Sequence, residues 1–160
     1  MEKKEISTKT LKQVAGCFPT GVSVISVFTP EGEIHGMTAS SFVSVSLDPP
    51  LVMFSVLKKN QLASYLKKEM PLGISILTEA MEAVSNHFAK ISSLENPPSF
   101  HTIGEAPILQ QSHAWYATKV HSLIPAGDHH LVLCEVLDLA ALPDERPLVY
   151  YQGYKKIAKL

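Results

Sequence analysis

Apolar and polar residues alternate with a period of two along parts of this chain, and the alternation predicts β-strands. In Phe42 to Leu47, valine and leucine fall on one face, with Ser44 and Ser46 on the other. The next segment, Leu51 to Leu57, is almost wholly apolar, which is typical of a central strand buried on both faces. Asp48-Pro49-Pro50 separates the two strands, because proline cannot donate a hydrogen bond to a sheet ladder.

The remaining pattern predicts a mainly β chain with three short helices. The helices are expected from Ser7 or Thr8 to about Cys17, directly after Lys58-Lys59-Asn60, and over Glu79 to Lys90 with Thr78 as the cap. Further strands are expected at 21–28, from Ile34 onward, and at 72–77, 114–123, 130–139 and 148–152, with 92–107 as a long loop. Strands this frequent and mostly consecutive favour an antiparallel barrel over an α/β layered sheet.

Length, charge and hydropathy limit the classes of function. A chain of 160 residues with 46% hydrophobic residues fits a single domain over residues 1–160 with a sizeable core. The formal net charge of -1, without a block of like charge, argues against a nucleic-acid partner. No apolar run reaches the roughly 18 residues of a membrane span. Met1–Glu5 lacks the apolar core of a secretory signal, so we expect a cytoplasmic protein whose first residues form a solvated approach to the first helix.

Several common site types are missing from the sequence. There is no G-x-G-x-x-G after a strand, no phosphate-binding loop and no nucleophile elbow. The seven histidines do not have metal-ligand spacing, and adjacent His129 and His130 would point to opposite faces of a strand, so no metal site is expected. Cys17 and Cys134 are far apart and are expected to be free, buried thiols.

A cluster of small hydroxyl residues lies where a predicted strand breaks. Thr38, Ser40 and Ser41 carry hydroxyls, and the neighbouring backbone N–H groups add donors without adding charge. This composition suits a neutral, hydrogen-bonding cradle for a polar cofactor such as a flavin. The alternative is a turn whose side chains satisfy their own backbone, and composition by itself favours that alternative.

Two other segments offer charged or titratable groups. Lys58-Lys59-Asn60 precedes a helix and could clamp an anion, or it could be a solvated pair of lysines. Gly127-Asp128-His129 precedes a strong strand and would place an imidazole at the mouth of a barrel, as a hydrogen-bonding partner or proton donor. The alternative for the histidine is an exposed residue in a polar turn.

Taken in order, these segments resemble the flavin reductase-like family, whose fold is the FMN-binding split barrel. The most specific part is the run from Thr38-Ala39-Ser40-Ser41 to Asp48-Pro49-Pro50. Supporting segments are Phe18-Pro19-Thr20-Gly21-Val22, Phe88-Ala89, Gly127-Asp128-His129, Glu135-Val136 and Pro147-Leu148-Val149-Tyr150-Tyr151. The resemblance implies a mainly β, Greek-key-like antiparallel split barrel with a few short flanking helices, assembled as a homodimer.

The resemblance also implies a site. Met37 to Ser41 and Ser44 would line the flavin ring and ribityl chain, Lys58 to Asn60 with Ser64 would approach the phosphate, and Tyr154 would lie near the open face. The implied cofactor-binding residues are Met37, Thr38, Ala39, Ser40, Ser41, Ser44, Leu57, Lys58, Lys59, Asn60, Ser64, Phe88, Ala89 and Tyr154, with His129 as the catalytic residue. The chain departs from the family where His130 replaces the usual threonine, and where two lysines and a more distant Ser64 replace the usual phosphate contacts.

The function implied is an NAD(P)H-dependent flavin reductase that binds FMN, or FAD, and supplies reduced flavin to a partner monooxygenase. NADH or NADPH would be the hydride donor, and the flavin would carry the chemistry. Two alternatives stay open. One is an electron-transfer flavoprotein of the same fold that holds FMN tightly and has no monooxygenase partner. The other is a non-enzymatic binding protein whose barrel or dimer surface is the function.

Overall fold

The computed structural model describes residues 6–142 and 144–155. Met1–Glu5, the expected solvated approach, lies outside the described residues. The helices are α1 (Thr8–Ala15), α2 (Gln61–Tyr65) and α3 (Glu82–Phe88), the last preceded by a 3₁₀ turn over Glu79–Met81. The strands are β1 (Thr20–Gly21), β2 (Ser23–Phe28), β3 (Ile34–Ala39), β4 (Val43–Leu47), β5 (Pro50–Leu57), β6 (Pro71–Ile76), β7 (Phe100–Ile103), β8 (Ala106–Leu109), β9 (Ala114–Ala126), β10 (His129–Ala141), β11 (Val149–Tyr150) and β12 (Tyr154–Lys155).

The main sheet has seven antiparallel strands in the order β3-β2-β6-β9-β10-β5-β4. Its two edge strands, β3 and β4, are consecutive in the chain and are joined only by residues 40–42. In a flat sheet of this size the edges would lie about 29 Å apart, whereas the chain from Ala39 to Val43 reaches about 14 Å at most. The sheet must therefore curl until its edges approach each other, which confirms the expected split barrel.

The core lies inside this curled sheet. Ile25, Phe54, Leu72, Ile74 and Val132 are fully buried and belong to one apolar cluster. Their burial supplies the main stabilising free energy, at roughly 1.5–3 kcal/mol for each large side chain.

Strand β5 only partly matches the expectation of burial on both faces. Val52, Phe54 and Val56 are buried, but the alternate residues Met53 and Ser55 are half-buried. In β4 the strict alternation is interrupted, because the register with β5 shifts between Ser44 and Ser46 and leaves an extra residue there.

The segment predicted as a loop, 92–107, holds a strand pair that the sequence analysis missed. Strand β7 and the first two residues of β8 fall within it, and all four residues of β8 are buried. Continuous burial leaves no alternation to detect, and the three prolines of the segment favoured a loop. The β8 backbone crosses β2 and β6 closely: Ser26 Oγ on β2 donates to Pro107 O at 2.7 Å, and a Cβ on Gly73 of β6 would overlap that same carbonyl oxygen.

The cap predicted for the first helix is confirmed, whereas the cap predicted at Thr78 is not formed. Ser7 caps α1, accepting a hydrogen bond from Thr10 N at 3.1 Å. Thr78 makes no side-chain cap, because it is buried and bridged to Pro147, and the helix after it begins as a 3₁₀ turn. The strand expected at 148–152 is shorter in the structure, where it is β11, and it pairs with β12 beyond the predicted range.

The two cysteines are free, but they differ in environment. Cys134 is buried, and desolvation raises the pKa of its thiol to about 12, so it stays protonated and unreactive. Cys17 is exposed, so the expectation of burial was wrong for this residue. It follows α1, a helix that buries none of its residues.

We expect Gly73→Ala to destabilise the fold by about 2–3 kcal/mol, because the added methyl group forces β6 and β8 apart. Urea unfolding followed by circular dichroism measures the loss. Gly21→Ala is the matched control, since a Cβ at Gly21 meets nothing within 4 Å. Equal stability of the two variants would contradict the close approach of β8 to Gly73.

Candidate functional site

Two adjoining cavities lie at the point where the barrel is split. The serine cavity, of about 250 Å³, is formed by residues 37–41, 55–57, 60 and 129. The lysine cavity, of about 510 Å³, is formed by residues 35–38, 57, 59–61 and 88–90. The two share Met37, Thr38, Leu57 and Asn60, so they form one continuous groove along the end of β3.

Two of the four hydroxyl side chains that line the serine cavity are already engaged. Ser41 Oγ accepts from Ser55 N at 3.0 Å and donates to Ser55 O at 3.3 Å, taking the place of a neighbouring strand at that point of β5. Thr38 Oγ1 donates to Ser85 O at 2.6 Å. Of the three predicted hydroxyls, only that of Ser40 has no partner among the described residues, and it is exposed. Thr38 and Ser41 therefore bond to the backbone of α3 and β5, and not to the backbone of their own turn.

Charge is distributed unevenly along the groove. Among the residues that the structure describes, no aspartate or glutamate lines either cavity, and no lysine or arginine lines the serine cavity. The lysine cavity contains Lys59 and Lys90. The groove thus suits a ligand with a neutral, hydrogen-bonding body at one end and an anionic group at the other.

His129 reaches the serine cavity from the turn between β9 and β10. Its Nδ1 lies 2.7 Å from Asp128 Oδ1, and this hydrogen bond lowers the pKa of the exposed Asp128 carboxyl. With Nδ1 donating to the carboxylate, Nε2 is left for other partners. Asp128 was not among the predicted site residues, although its place in Gly127-Asp128-His129 was the available signal.

Lys58 holds that turn and does not line either cavity. Its Nζ donates to Gly127 O at 2.6 Å, and its backbone N donates to Asp128 O at 3.0 Å. The predicted pair of lysines is therefore divided: Lys59 enters the lysine cavity, whereas Lys58 braces the turn that carries His129.

The groove brings together many of the predicted cofactor-binding residues. They are Met37, Thr38, Ala39, Ser40, Ser41, Leu57, Lys59, Asn60, Phe88 and Ala89, with His129. Asn60 has a further role, because its side chain caps α2 by accepting from Leu62 N at 2.9 Å.

Three other predicted residues lie outside both cavities. Ser44 is exposed on β4 opposite Val52, and Ser64 Oγ donates back to Gln61 O at 2.7 Å. Tyr154 lies 2.9 Å from Ser85 through their hydroxyl oxygens, so it contacts the residue that accepts from Thr38.

His35, Gln61 and Lys90 line the lysine cavity but were missed from the sequence. His35 lies two residues before Met37 on β3, and this period-two spacing was a signal for it. Burial, and then the charge of Lys90, lower the pKa of His35. The imidazole is therefore held in its neutral form over a wider pH range. Its ring contacts that of Tyr65 edge to face, with centroids 5.4 Å apart.

The residues that the structure describes provide neither a metal site nor a membrane-spanning helix. No group of three or more histidine, cysteine, aspartate or glutamate side chains could hold a metal ion there. Within the same residues, no helix is both long and apolar enough to cross a bilayer.

Comparison with known proteins gives consistent matches. Residues 15–158 match the family model described as flavin reductase like domain. An NADH-dependent flavin reductase of Pseudomonas fluorescens is 37% identical over 133 residues, covering 82% of this chain and 78% of that protein.

Two solved structures are also similar over nearly their whole length. The styrene monooxygenase flavin reductase of Pseudomonas putida has a TM-score of 0.85 and 34% identity, covering 94% of this chain and 99% of its own. An NADH:FAD oxidoreductase of Streptomyces globisporus, solved in complex with NAD and FAD fragments, has a TM-score of 0.86 and 31% identity, covering 98% of each chain.

We expect Ser41→Ala to lower the free energy of unfolding by about 1–2 kcal/mol, because the half-buried Ser55 N–H loses its acceptor. Ser40→Ala is the control and should leave stability unchanged, since that hydroxyl has no partner among the described residues. Thermal unfolding of the ligand-free proteins measures both. Equal midpoints for the two variants would contradict the structural role of Ser41.

Proposed function

The chain belongs to the flavin reductase-like family, and on this premise we propose that it is an NAD(P)H-dependent flavin reductase. It would bind FMN, or FAD through its FMN half, and supply reduced flavin to a partner monooxygenase. Relatives named as NADH-dependent favour NADH over NADPH as the hydride donor. The observation that carries the proposal is the division of the groove into an uncharged serine cavity and a cationic lysine cavity.

The order of uncharged and cationic groups along the groove matches the order of ring and phosphate in a flavin nucleotide. Ser40 and the backbone of residues 39–41 would meet the ring at the uncharged end, and Lys59 with Asn60 would meet the phosphate. Gly36 supports this fit, because a Cβ there would come within 2.8 Å of the Phe88 ring and displace a wall of the lysine cavity. When bound, the flavin supplies hydride acceptance and donation.

The chain's own residues would orient the two nucleotides and shield the reacting atoms from water. Asp128 fixes the imidazole of His129 through Nδ1, so Nε2 can bond to the carboxamide of the nicotinamide or donate to the flavin edge. Lys58 holds the backbone of the same turn and acts as a positioning residue. Phe88 and Leu57 restrict water at the sides of the groove. No strong acid is needed, which agrees with a lining without carboxylates.

A partner monooxygenase is supported by the similarity to a protein named as the flavin reductase of styrene monooxygenase. The groove also fits flavin release. Among the described residues, the hydroxyls of Thr38 and Ser41 and the side-chain oxygen of Asn60 are already engaged within the chain, which leaves few strong contacts to a ligand and keeps affinity moderate. The alternative of a tightly held electron-transfer flavin would be favoured by more ionic anchors than these.

A homodimer is also part of the proposal, because apolar side chains are left uncovered. On β4, Val43, Val45 and Leu47 are exposed, and Leu47 shows 94% of its surface. On α1, Leu11 and Val14 are more than half exposed, although an eight-residue helix gains little stability by itself. A second copy covering these faces would bury them. We also propose one domain over residues 1–160 and a cytoplasmic location.

The proposal is tested by adding NADH to the purified protein with and without free flavin. We expect NADH oxidation that depends on added FMN or FAD, and protein that loses flavin during purification. A yellow protein without turnover would favour the electron-transfer alternative. Colourless protein that neither binds nor reduces flavin would contradict both.

We expect Lys59→Gln to weaken FMN binding about five- to tenfold while riboflavin binding stays nearly unchanged, because one charge-assisted contact to phosphate is lost. Lys58→Gln is the matched control and should not discriminate between the two ligands. Fluorescence titration gives both affinities. Equal losses for FMN and riboflavin in Lys59→Gln would place the phosphate elsewhere.

A further inference from the structure

The lysine cavity contains a third side chain that can carry a positive charge. His35 lies on β3 and lines the cavity together with Lys59, which precedes α2, and Lys90, which follows α3. Lysines keep their charge at neutral pH, whereas an imidazole gains its charge between about pH 5 and pH 8. Among the described residues that line this cavity, His35 is therefore the one through which the positive charge can vary with pH.

The imidazole of His35 is held in place, but its nitrogens are left unbonded. Its ring packs edge to face against the ring of Tyr65, with centroids 5.4 Å apart. Tyr65 is fixed in turn, because its hydroxyl accepts a hydrogen bond from Gln61 Nε2 at 3.0 Å within α2. Neither ring nitrogen of His35 has a hydrogen-bond partner in the part of the chain that the structure describes. Packing thus orients the ring and leaves its nitrogens for a ligand.

The titratable groups around His35 come from both neighbouring helices. On the α2 side they are Lys59 and Tyr65, and on the α3 side they are His87 and Lys90. Its partner across β2, Val27, is apolar. Burial, and then the charge of Lys90, lower the pKa of His35. No described aspartate or glutamate lines the lysine cavity to oppose this effect, so the protein's own groups favour the neutral imidazole.

A phosphate group in the lysine cavity would reverse that balance. Its negative charge would stabilise a protonated imidazole, which could then donate a hydrogen bond to a phosphate oxygen. The second pKa of a phosphate monoester is about 6, so phosphate and imidazole exchange protons in the same pH range. By linkage, a protein that gains a proton when it binds a ligand binds that ligand more tightly at lower pH.

We propose that His35 binds the flavin phosphate and takes up a proton as it does so, so that the affinity for FMN increases as the pH falls. Lys59 would supply a constant positive charge, and His35 a charge that varies with pH. This inference rests on the proposed function, which places the phosphate in the lysine cavity. His35 would determine specificity, because riboflavin has no phosphate and gains nothing from the charge of the imidazole.

Fluorescence titration of FMN and riboflavin into the full chain at about pH 8 and about pH 6.5 tests the inference. For the unmodified protein we expect the Kd for FMN to be about fivefold lower at the lower pH, while the Kd for riboflavin changes less than about twofold. His35→Gln should raise the FMN Kd about fivefold at the lower pH and lose the pH dependence. His121→Gln is the matched control, since His121 is exposed on β9 and lines neither cavity.

Proton uptake gives a second measurement that does not depend on fluorescence. Calorimetric titration in two buffers with different ionisation enthalpies counts the protons taken up on binding. We expect FMN to bind with uptake of a fraction of a proton, riboflavin to bind with none, and the uptake to disappear in His35→Gln. If that variant does not fold, NMR of the histidine Cε1–H groups in the unmodified protein replaces it, and FMN should raise the pKa of one histidine that riboflavin leaves unchanged.

The remaining outcomes separate this inference from the proposed function. An equal pH dependence for riboflavin and FMN would assign the titrating group to the ring end of the groove, where His129 lies. An FMN affinity that does not vary with pH, or that varies alike in His35→Gln, would exclude His35. A raised KM for NADH in His35→Gln, with FMN affinity unchanged, would assign His35 to the nicotinamide nucleotide. Each of these results overturns the inference and leaves the reductase proposal standing, whereas a chain that binds no flavin overturns both.

Discussion

The connection of residues 40–42 is the constraint on which this structure depends. It joins the two edge strands of a seven-stranded sheet, so the sheet has to curl before β3 and β4 can both pair with their neighbours. Ser41 secures the connection by hydrogen bonding both backbone groups of Ser55 on β5. Because the edges approach without pairing, the barrel stays open at this point, and the serine and lysine cavities lie at the opening.

The helices and strands that end at this opening determine how charge is distributed around it. Strand β3 and residues 40–42 contribute small, uncharged groups, whereas the segment before α2 and the end of α3 contribute Lys59 and Lys90. The adjacent Lys58 turns away to the Gly127 carbonyl and stabilises the turn that presents His129. Two neighbouring lysines thus have different tasks, one at the ligand groove and one in the support of a histidine.

Sequence patterns were sufficient where local chemistry dominates. The apolar run of β5, the proline break before it and the Ser7 cap all have short-range causes, and each is present in the structure. Sequence patterns did not predict the structure where contacts between residues far apart in the chain determine it. Strand β8 is buried because β6 lies across it, and Thr78 does not cap because Pro147 bridges it.

The candidate site shows the same division between local and distant causes. The hydroxyl cluster and Gly127-Asp128-His129 were visible as local motifs. The separation of Lys58 from Lys59, and the approach of His35 and Lys90, depend on how β3, α3 and the β9–β10 turn meet in space. Nothing in the neighbouring sequence encodes those distances. Ser40 and Ser41 are consequently under different selective constraints. A substitution at position 41 affects folding whether or not a ligand is present. Position 40 can be varied to change ligand recognition without loss of the fold.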